Sequence, residues 1–384
     1  MGRADAISLT FRRVPPKKIT TNYIMDQSEL YKRILEILPV KIGDNENYRD
    51  AVKRCLKTFK KLLGKLDVTS QPVGWNNTTA RINQLCDGIN RAIEREYQGM
   101  RHSAYASIKN QLDGYQSQRS KIQGLAYDKN VLTVPAGTVC YRMRKVDLEE
   151  QHNLKRRDMF HIPLDKKGLV QTQRYSVPGY PCLYLSQNIY GCWEEMGRPT
   201  FGTVMVSKFI SRQNFKVLDL RLPTETSWID NLKMCAEFFP LVITSMVQVK
   251  NNKDYYKPEY LIPQLLTEWI ITNNRENTPD KEIIGILFTS SKKNEDFYFP
   301  NDSYDNYAIP VLKPLSSKMY CKRLSQLFHL SAPTYYDLEV LKQGETIDLG
   351  NIVSSDEQKR AENYRTSPFG TLEKYLGKAV IDEI

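Results

Sequence analysis

Four short segments carry the residue types that can bind a phosphorylated sugar and assist the breaking of a glycosidic bond. They are Cys140–Arg144, Gln173–Pro181, Leu183–Ser186 with the following Cys192–Met196, and Gly285–Ser290 with the preceding Pro258–Leu265. A guanidinium fork binds phosphate oxygens in pairs, which an ammonium group does not do. A carboxylate stabilises the positive charge that develops at a sugar carbon when its glycosidic bond breaks. The arginines and glutamates of these segments are therefore the candidate functional groups.

The elements that must position these segments change in kind near residue 130. Beyond Asn130, short β-rich segments punctuated by Pro and Gly are interleaved with helical ones. The predicted strands are Val131–Val134, Thr138–Arg142, Leu183–Leu185, Gly202–Phe209, Phe215–Leu218 and Ile283–Phe288, and the predicted helices lie around Ile189–Met196, Trp228–Phe239 and Ile262–Thr272. This is a mixed α+β pattern without regular βαβ alternation. Neither a G-x-G-x-x-G nor a G-x-x-x-x-G-K motif occurs, which excludes a Rossmann fingerprint and a P-loop.

Before residue 130, apolar residues recur at helical spacing. Asp26 followed by Glu29 resembles a capping box. Four amphipathic helices are then predicted, marked by Leu30–Leu38, Tyr48–Leu66, Ile82–Ile93 and Ile108–Tyr115. None of them carries residues suited to chemistry, so we expect this region to pack or to bind.

The net charge of +11 is concentrated in the same region. Residues 1–130 contain 23 Lys+Arg against 13 Asp+Glu, whereas the remaining residues contain 32 against 31. Such an excess attracts nucleic acid or an acidic protein partner. It is also the composition of a solvated helix face behind a basic leader. Because no helix shows a nucleic-acid recognition motif, we do not expect nucleic acid to be the main partner.

Cysteine and histidine usage gives no sign of a metal site. The seven cysteines are scattered without a C-x-x-C pair, and the four histidines form no ligand pair at helical spacing. This predicts reduced, mostly buried thiols and no bound metal. No stretch approaches the roughly 18 apolar residues that a membrane span needs. Residues Met1–Pro16 are polar and basic, unlike a secretory signal, so we expect a cytoplasmic protein without a membrane partner.

The order of the four segments resembles the RES family, which is named for its Arg, Glu and Ser positions. A strand ending in Tyr141-Arg142, an Arg-aromatic turn leading to Gly179, a Leu-Tyr-Leu strand and a Glu-bearing helix follow in sequence. A Pro-Gln helix and a Gly-Ile-x-aromatic-x-Ser strand complete the order. The resemblance covers about half of the chain, roughly residues 130–315. It implies an α+β fold with an ADP-ribosyltransferase-like split β-sandwich that holds NAD⁺ in a cleft, as substrate rather than cofactor.

The resemblance also implies an activity. Members of the family break the nicotinamide–ribose bond of NAD⁺ by phosphorolysis or hydrolysis, and they commonly act as toxins or defence effectors held in check by an antitoxin. Some transfer ADP-ribose to a macromolecule, which is the first alternative. A second alternative is a basic nucleic-acid-binding or protein-binding module with a non-catalytic RES-like domain. Whether water, inorganic phosphate or a side chain accepts ADP-ribose depends on access to the cleft, and the oligomeric state is left open.

These considerations divide the chain into four parts. Residues 1–25 form an extended basic arm, and residues 26–129 form a helical region that regulates the enzyme or binds a partner. Residues 130–330 form the RES-type NAD⁺-binding catalytic domain, and residues 331–384 form a tail that docks on it through the amphipathic segment Phe369–Leu376.

The resemblance assigns roles to individual residues. Arg142 occupies the Arg position and would bind the pyrophosphate of NAD⁺. Glu195 would stabilise the cationic ribose, and the count from Tyr184 favours it over Glu194. Neighbouring helix positions point about 100° apart, so both glutamates cannot face one cleft.

The remaining assignments complete the expected NAD⁺ site. Ser290, with Ser291 as its competitor, would donate a hydrogen bond to ribose or phosphate. The turn contributes three further NAD⁺-binding residues, Arg174, Tyr175 and Ser176, with Tyr175 placed to stack on the nicotinamide ring or to close the ribose pocket.

Two positions depart from the family pattern. Small members often have Asn where this chain has Ser176, and often have Pro where it has Thr289. Neither change removes a charged group, so neither argues against catalysis. The charged stretch between Arg144 and Arg174 is expected to form a lid or a partner-binding loop.

Overall fold

A computed structural model describes residues 24–116, 121–122, 130–147, 149, 153–276, 282–292, 304–312, 319–335 and 357–384. The predicted arm at 1–25 lies outside these ranges except for its last two residues. Of these, Met25 is buried, and its amide donates to the carbonyl oxygen of Lys65 over 3.0 Å.

The N-terminal helices are α1 (Gln27–Leu35), α2 (Tyr48–Leu63), α3 (Trp75–Tyr97) and α4 (Arg101–Asp113). As the capping-box pattern predicts, α1 begins after Asp26, whose side chain accepts a hydrogen bond from the Glu29 amide. The helices bury one apolar face each. Helices α3 and α4 pack so closely that a Cβ at Gly88 would lie 2.4 Å from Cγ of Gln111, so a larger residue there would displace the Gln111 side chain.

Eleven strands occur in the described ranges. Strands β1 (Tyr115–Gln116) and β2 (Lys121–Ile122) form a separate pair. The other nine are β3 (Val131–Val134), β4 (Val139–Lys145), β5 (Cys182–Ser186), β6 (Val204–Ser211), β7 (Phe215–Leu220), β8 (Ile283–Thr289), β9 (Asp305–Pro310), β10 (Phe328–Ser331) and β11 (Ile381–Asp382). They form one sheet in the order β11-β10-β6-β4-β5-β9-β8-β7-β3, in which only β7 and β8 run parallel.

The sheet is nearly divided between β4 and β5. These two strands share a single residue pair, Tyr141 with Ser186, whereas β4 and β6 share seven pairs from Val139–Ile210 to Lys145–Val204. Beyond Tyr141, the side of β4 that faces β5 is therefore unpaired in the described residues. The cleft described below opens at this junction.

The helical region and the sheet share one apolar core. The helices that follow β5 in the chain before the C-terminal residues are α5 (Ile189–Glu195), α6 (Glu225–Asp230), α7 (Leu232–Ser245), α8 (Leu261–Glu276) and α9 (Lys322–Leu327). Phe59 of α2 stacks on Phe239 of α7 with ring centroids 5.2 Å apart. Arg81 of α3 forms an ion pair with the buried Glu237 of α7. The change of composition near residue 130 is thus not a break in the packing.

The C-terminal residues return to the sheet. Helices α10 (Glu357–Thr366) and α11 (Pro368–Gly377) precede β11, which pairs with β10 at the sheet edge. Phe369 of α11 lies between Tyr190 and Trp193 of α5, with ring centroids 5.3 Å from each. The end of the chain therefore packs on the helix that carries Glu195.

The α+β class predicted from the sequence is confirmed, while the ADP-ribosyltransferase-like split β-sandwich stays a prediction. Each predicted strand overlaps one of β3 to β8, and β1, β2, β9, β10 and β11 were not predicted. All seven cysteines are free, and six are buried. None of the helices in the described ranges combines the length and apolar character that crossing a bilayer requires.

Candidate functional site

A cleft with a cavity volume of about 540 Å³ lies where β4 and β5 diverge. Its walls come from β4, β5, α5, the ends of β8 and β9, the turn before β5 and the segment after α7. The described residues that line it are Arg142, Met143, Arg144, Lys145, Gln173, Arg174, Tyr184, Leu185, Ser186, Cys192, Glu195, Met196, Gln248, Val249, Asn252, Tyr260, Phe288, Ser291, Lys292 and Asn306. The four chemistry-bearing segments thus meet in one place.

The charge of this lining is strongly unequal. Five basic side chains and one acidic side chain, Glu195, occur among its described residues. A concave surface with this excess attracts an anion and raises its local concentration.

Arg142 is a guanidinium without an acidic partner in the described part of the chain. Its Nη1 donates to the carbonyl oxygen of Tyr184 over 3.2 Å. Its Nε is buried with no hydrogen-bond partner among the described residues. Burial lowers the pKa of the guanidinium from its ordinary value, because desolvation disfavours the charged form. A buried donor of this kind is expensive unless an anion satisfies it.

Arg174 is held by a tight turn on the opposite wall. Gln173 and Ser176 pair across the turn, and Gly179 then takes a φ of +80° that a side chain would disfavour. The Arg174 guanidinium donates to the carbonyl oxygen of Ser245 over 3.0 Å and to Oγ of Ser291 over 2.7 Å. It also lies 5.2 Å from the ring centroid of Tyr260. This arginine is therefore fixed in place and, like Arg142, has no carboxylate partner among the described residues.

The structure places Glu195, and not Glu194, at the cleft. Glu194 is 4% exposed. It accepts a hydrogen bond from the Tyr190 hydroxyl and forms an ion pair of 2.9 Å with Arg198. Arg198 turns back towards it through a left-handed backbone at φ 58°. Glu194 is thus a structural residue, and Glu195, with a side chain 35% exposed, faces the cavity.

Two donors surround the Glu195 carboxylate. Nδ2 of Asn306 lies 3.4 Å from its Oε1, and Nζ of Lys292 lies 4.0 Å from its Oε2. Lys292 also donates to the main-chain carbonyl oxygen of Glu195. The carboxylate is therefore held between an amide and an ammonium group.

Tyr175 and Ser176 lie behind the cleft rather than in its wall. The Tyr175 ring is fully buried and packs on Phe288 with centroids 4.5 Å apart, and burial raises the pKa of its phenol to about 12. Ser176 is 3% exposed, and its Oγ lies 3.0 Å from the hydroxyl of Tyr184. Both residues support the turn that carries Arg174, which is not the ligand contact expected of them.

Ser290 is also displaced from its expected place. It is 1% exposed, its amide donates to the Tyr304 carbonyl oxygen, and its Oγ accepts from the Lys292 amide over 3.0 Å. The next residue, Ser291, lines the cleft and meets Arg174. Successive residues at a strand end point to opposite sides, so a difference of one position decides which of the two serines lines the cleft.

Several lining residues were not identified from the sequence. Asn306 lies in a strand that was not predicted, and Gln248 lies in none of the four segments. Tyr260 lies in the Pro258–Leu265 segment but was not singled out. Lys292 follows the last motif by two residues, and that proximity is the signal that could have found it. Gln264, from the Pro-Gln segment, donates through Nε2 to the carbonyl oxygens of Gln173 and Ser176, each over 3.1 Å. It therefore fixes the Arg174 turn.

The thiol that lines the cleft is a weak nucleophile. Cys192 lines the cleft, but burial raises the pKa of its thiol to about 12, so the reactive thiolate is scarce. Within the described ranges, no three His, Cys, Asp or Glu side chains come together as a metal site would need.

These features define an α+β protein with a basic cleft that contains a single acidic side chain among its described lining residues. The sequence is 32% identical over 315 residues to "Putative toxin YopC" of Bacillus subtilis (strain 168), an alignment that covers 77% of this chain and 68% of that protein. The chain belongs to the family of that protein. No family model matches the sequence, and no solved structure matches it.

Proposed function

We propose that the protein cleaves the nicotinamide–ribose bond of NAD⁺, by phosphorolysis or hydrolysis, and acts as a toxin through the loss of NAD⁺. One observation carries the proposal: among the described lining residues of the cleft, Glu195 is the one carboxylate and the other charged groups are five cations. NAD⁺ has the complementary distribution, with an anionic pyrophosphate and a ribose carbon that becomes cationic as its bond breaks. The resemblance to the RES family supports the same activity.

In this proposal, Arg142 and Arg174 bind the pyrophosphate. Both are guanidinium groups without a carboxylate partner in the described residues, and guanidinium pairs with phosphate oxygens through two parallel hydrogen bonds. Arg142 lines the cleft, where its guanidinium can meet a phosphate oxygen. Ser291, rather than the expected Ser290, is the serine available to ribose or phosphate.

Glu195 then stabilises the transition state. The bond between nicotinamide nitrogen and ribose C1′ breaks with its electron pair moving to the nicotinamide, which leaves as a neutral molecule. The positive charge passes to the ribose, where an ionised carboxylate lowers the barrier. Attack by water gives ADP-ribose and a proton, and attack by inorganic phosphate gives ADP-ribose-1-phosphate.

The role as a toxin rests on the relative. The Bacillus subtilis protein of this family carries the name "Putative toxin YopC", and draining NAD⁺ would arrest a cell. A toxin of this kind requires a protein that restrains it in the host, so an antitoxin or other regulatory partner is part of the proposal.

The decisive experiment follows NAD⁺ by chromatography with purified protein, with and without inorganic phosphate. We expect loss of NAD⁺ and free nicotinamide as one product, and the second product names the acceptor. Arg142→Ala and Glu195→Gln should each reduce the rate by roughly 100-fold or more, as removal of an electrostatic stabiliser does.

Glu194→Gln provides a matched control. It changes a neighbouring carboxylate that pairs with Arg198, so it should lower stability while the folded protein keeps its activity. Unchanged NAD⁺ under all conditions would contradict the proposal. Labelled NAD⁺ offered with cell extract would then test transfer of ADP-ribose to a macromolecule.

A further inference from the structure

Asn306 faces the Glu195 carboxylate from β9, a strand with a neighbour on each side. It lies on β9, where it pairs with Ser186 of β5 on one side and with Phe288 of β8 on the other. The residue is 4% exposed, and its Nδ2 lies 3.4 Å from Oε1 of Glu195. A strand paired on both sides is a rigid support for a functional group. Asn306 is thus a fixed donor next to a carboxylate on a short helix.

The orientation of the Asn306 amide is set by a second acceptor. Nδ2 also donates to the carbonyl oxygen of Tyr304 over 3.1 Å. A side-chain amide nitrogen carries two N–H groups, so one can serve Tyr304 and the other Glu195. In the flipped orientation, Oδ1 would face a carbonyl oxygen and a carboxylate, both of which repel it. The amide therefore presents an N–H group to Glu195.

The other groups around Glu195 constrain the orientation of its carboxylate less than Asn306 does. Lys292 approaches within 4.0 Å but is 46% exposed, so solvent screens its charge. The phenols of Tyr175 and Tyr260 have pKa values raised mainly by burial and partly by the charge of Glu195, so both are neutral near pH 7. The remaining charged lining groups are Arg142, Arg144 and Lys145 on β4 and Arg174 in its turn.

We propose that Asn306 is a positioning residue that holds the Glu195 carboxylate turned into the cleft. The inference rests on the proposed function and deepens it. An N–H donor stabilises the charged form of a carboxylate and offers nothing to accept a proton from it. A Glu195 carboxylate held in this orientation would face the ribose carbon at which positive charge develops.

The test compares Asn306→Ala and Asn306→Asp with the wild type in the NAD⁺ assay. Asn306→Ala should lower kcat roughly 10- to 100-fold and leave KM within about twofold, because the pyrophosphate contacts to Arg142 and Arg174 remain. Asn306→Asp places two carboxylates side by side, which disfavours full ionisation. The acid limb of its kcat–pH profile should therefore move up by roughly one pH unit or more.

A control separates positioning from loss of stability. Asn274 is a buried amide that bonds to the main chain of Ile283 and does not line the cleft. Asn274→Ala should lower Tm and leave kcat and the pH profile of the folded protein unchanged. If Asn306→Ala lowers kcat no more than this control, or if Asn306→Asp leaves the acid limb in place, the inference is wrong.

A readout without turnover tests the contact independently of the proposed function. In protein labelled with ¹⁵N-asparagine, the Asn306 side-chain amide signal should shift in Glu195→Ala and stay in place in Glu194→Gln. If the signal shifts in a protein that leaves NAD⁺ intact, the proposed function is wrong and the positioning contact stands. If the signal stays in place in an active enzyme, the positioning contact is wrong and the proposed function stands.

Discussion

Arg142 and Tyr184 are joined by a hydrogen bond of 3.2 Å, in which the guanidinium donates to the main-chain carbonyl oxygen. The other end of Tyr184 reaches the opposite wall, where its phenolic oxygen accepts from the amide of Tyr175 over 3.0 Å. One residue of β5 thus links the two segments that present guanidinium groups to the cleft. The distance between those groups depends on it.

Under the proposed function, replacing Tyr184 by Phe should therefore weaken NAD⁺ binding. The variant keeps the carbonyl contact to Arg142 and loses the phenolic support of the Arg174 turn. We expect KM for NAD⁺ to rise severalfold with a smaller change in kcat, and the free energy of unfolding to fall by about 1 kcal/mol. Tyr31→Phe is the matched control, because the Tyr31 hydroxyl bonds to the carbonyl oxygen of Pro223 outside the cleft. An equal KM in the two variants would contradict this link.

His161 should make stability depend on pH. Its Nδ1 lies 2.8 Å from the Ile162 carbonyl oxygen, and its Nε2 accepts from the Cys321 amide over 2.9 Å, so the ring must be neutral. Burial lowers its pKa from 6.5 to about 4. The unfolded chain consequently takes up the proton first, and stability falls as pH drops from about 6.5 to about 4, by roughly 3 kcal/mol in total.

Urea unfolding at pH 7 and pH 4.5 measures this dependence. The loss of stability between the two pH values should be clearly smaller in His161→Gln than in the wild type. His102→Gln, which changes an exposed histidine, should keep the wild-type dependence. The same loss in all three proteins would show that His161 is not responsible.

Lys250 tests whether the helical region supports the cleft or gates it. Its Nζ donates to the carbonyl oxygens of Gly43, Asp44 and Glu46 at 2.8–2.9 Å. Beside it, Val40 and Val247 form a β-bridge, and Gln248 and Val249 line the cleft.

Lys250→Ala should raise KM for NAD⁺ severalfold if the helical region holds this wall in place. Lys253→Ala removes an exposed ammonium from the same segment and should have no effect. A gain of activity in Lys250→Ala would instead support gating.

Glu373 should stabilise the helix that carries Glu195. Its Oε1 accepts from the amide of Ile189, the first residue of α5, over 2.7 Å, and a carboxylate at a helix N-terminus is favourable. Glu373→Ala should speed amide hydrogen exchange in α5 and lower kcat roughly tenfold. Lys374→Ala, at the exposed neighbouring position, is the control. Unchanged exchange in α5 would show that the C-terminal helix α11 does not hold it.

The sequence predicted the helices and strands better than it predicted which side chains line the cleft. Strands such as β7 and β8 are apolar runs bounded by turn residues, which local pattern reveals. Arg142, Arg174 and Glu195 were placed together because their segments follow a family order. Whether Ser290 or Ser291 faces the cleft depends on a strand end fixed only by tertiary packing. Asn306 is an isolated amide in β9, and nothing local distinguishes it from any other asparagine.

The single residue pair between β4 and β5 has a mechanical consequence. Parting these strands breaks the pairing of Tyr141 with Ser186 alone, whereas parting β4 from β6 breaks seven pairs and parting β5 from β9 breaks five. Of these junctions, the one with the fewest residue pairs therefore lies at the cleft, with Arg142 on one side of it and Asn306 on the other. A substrate that contacts Arg142 and Asn306 together would therefore connect two parts of the sheet that share only this one residue pair at the cleft.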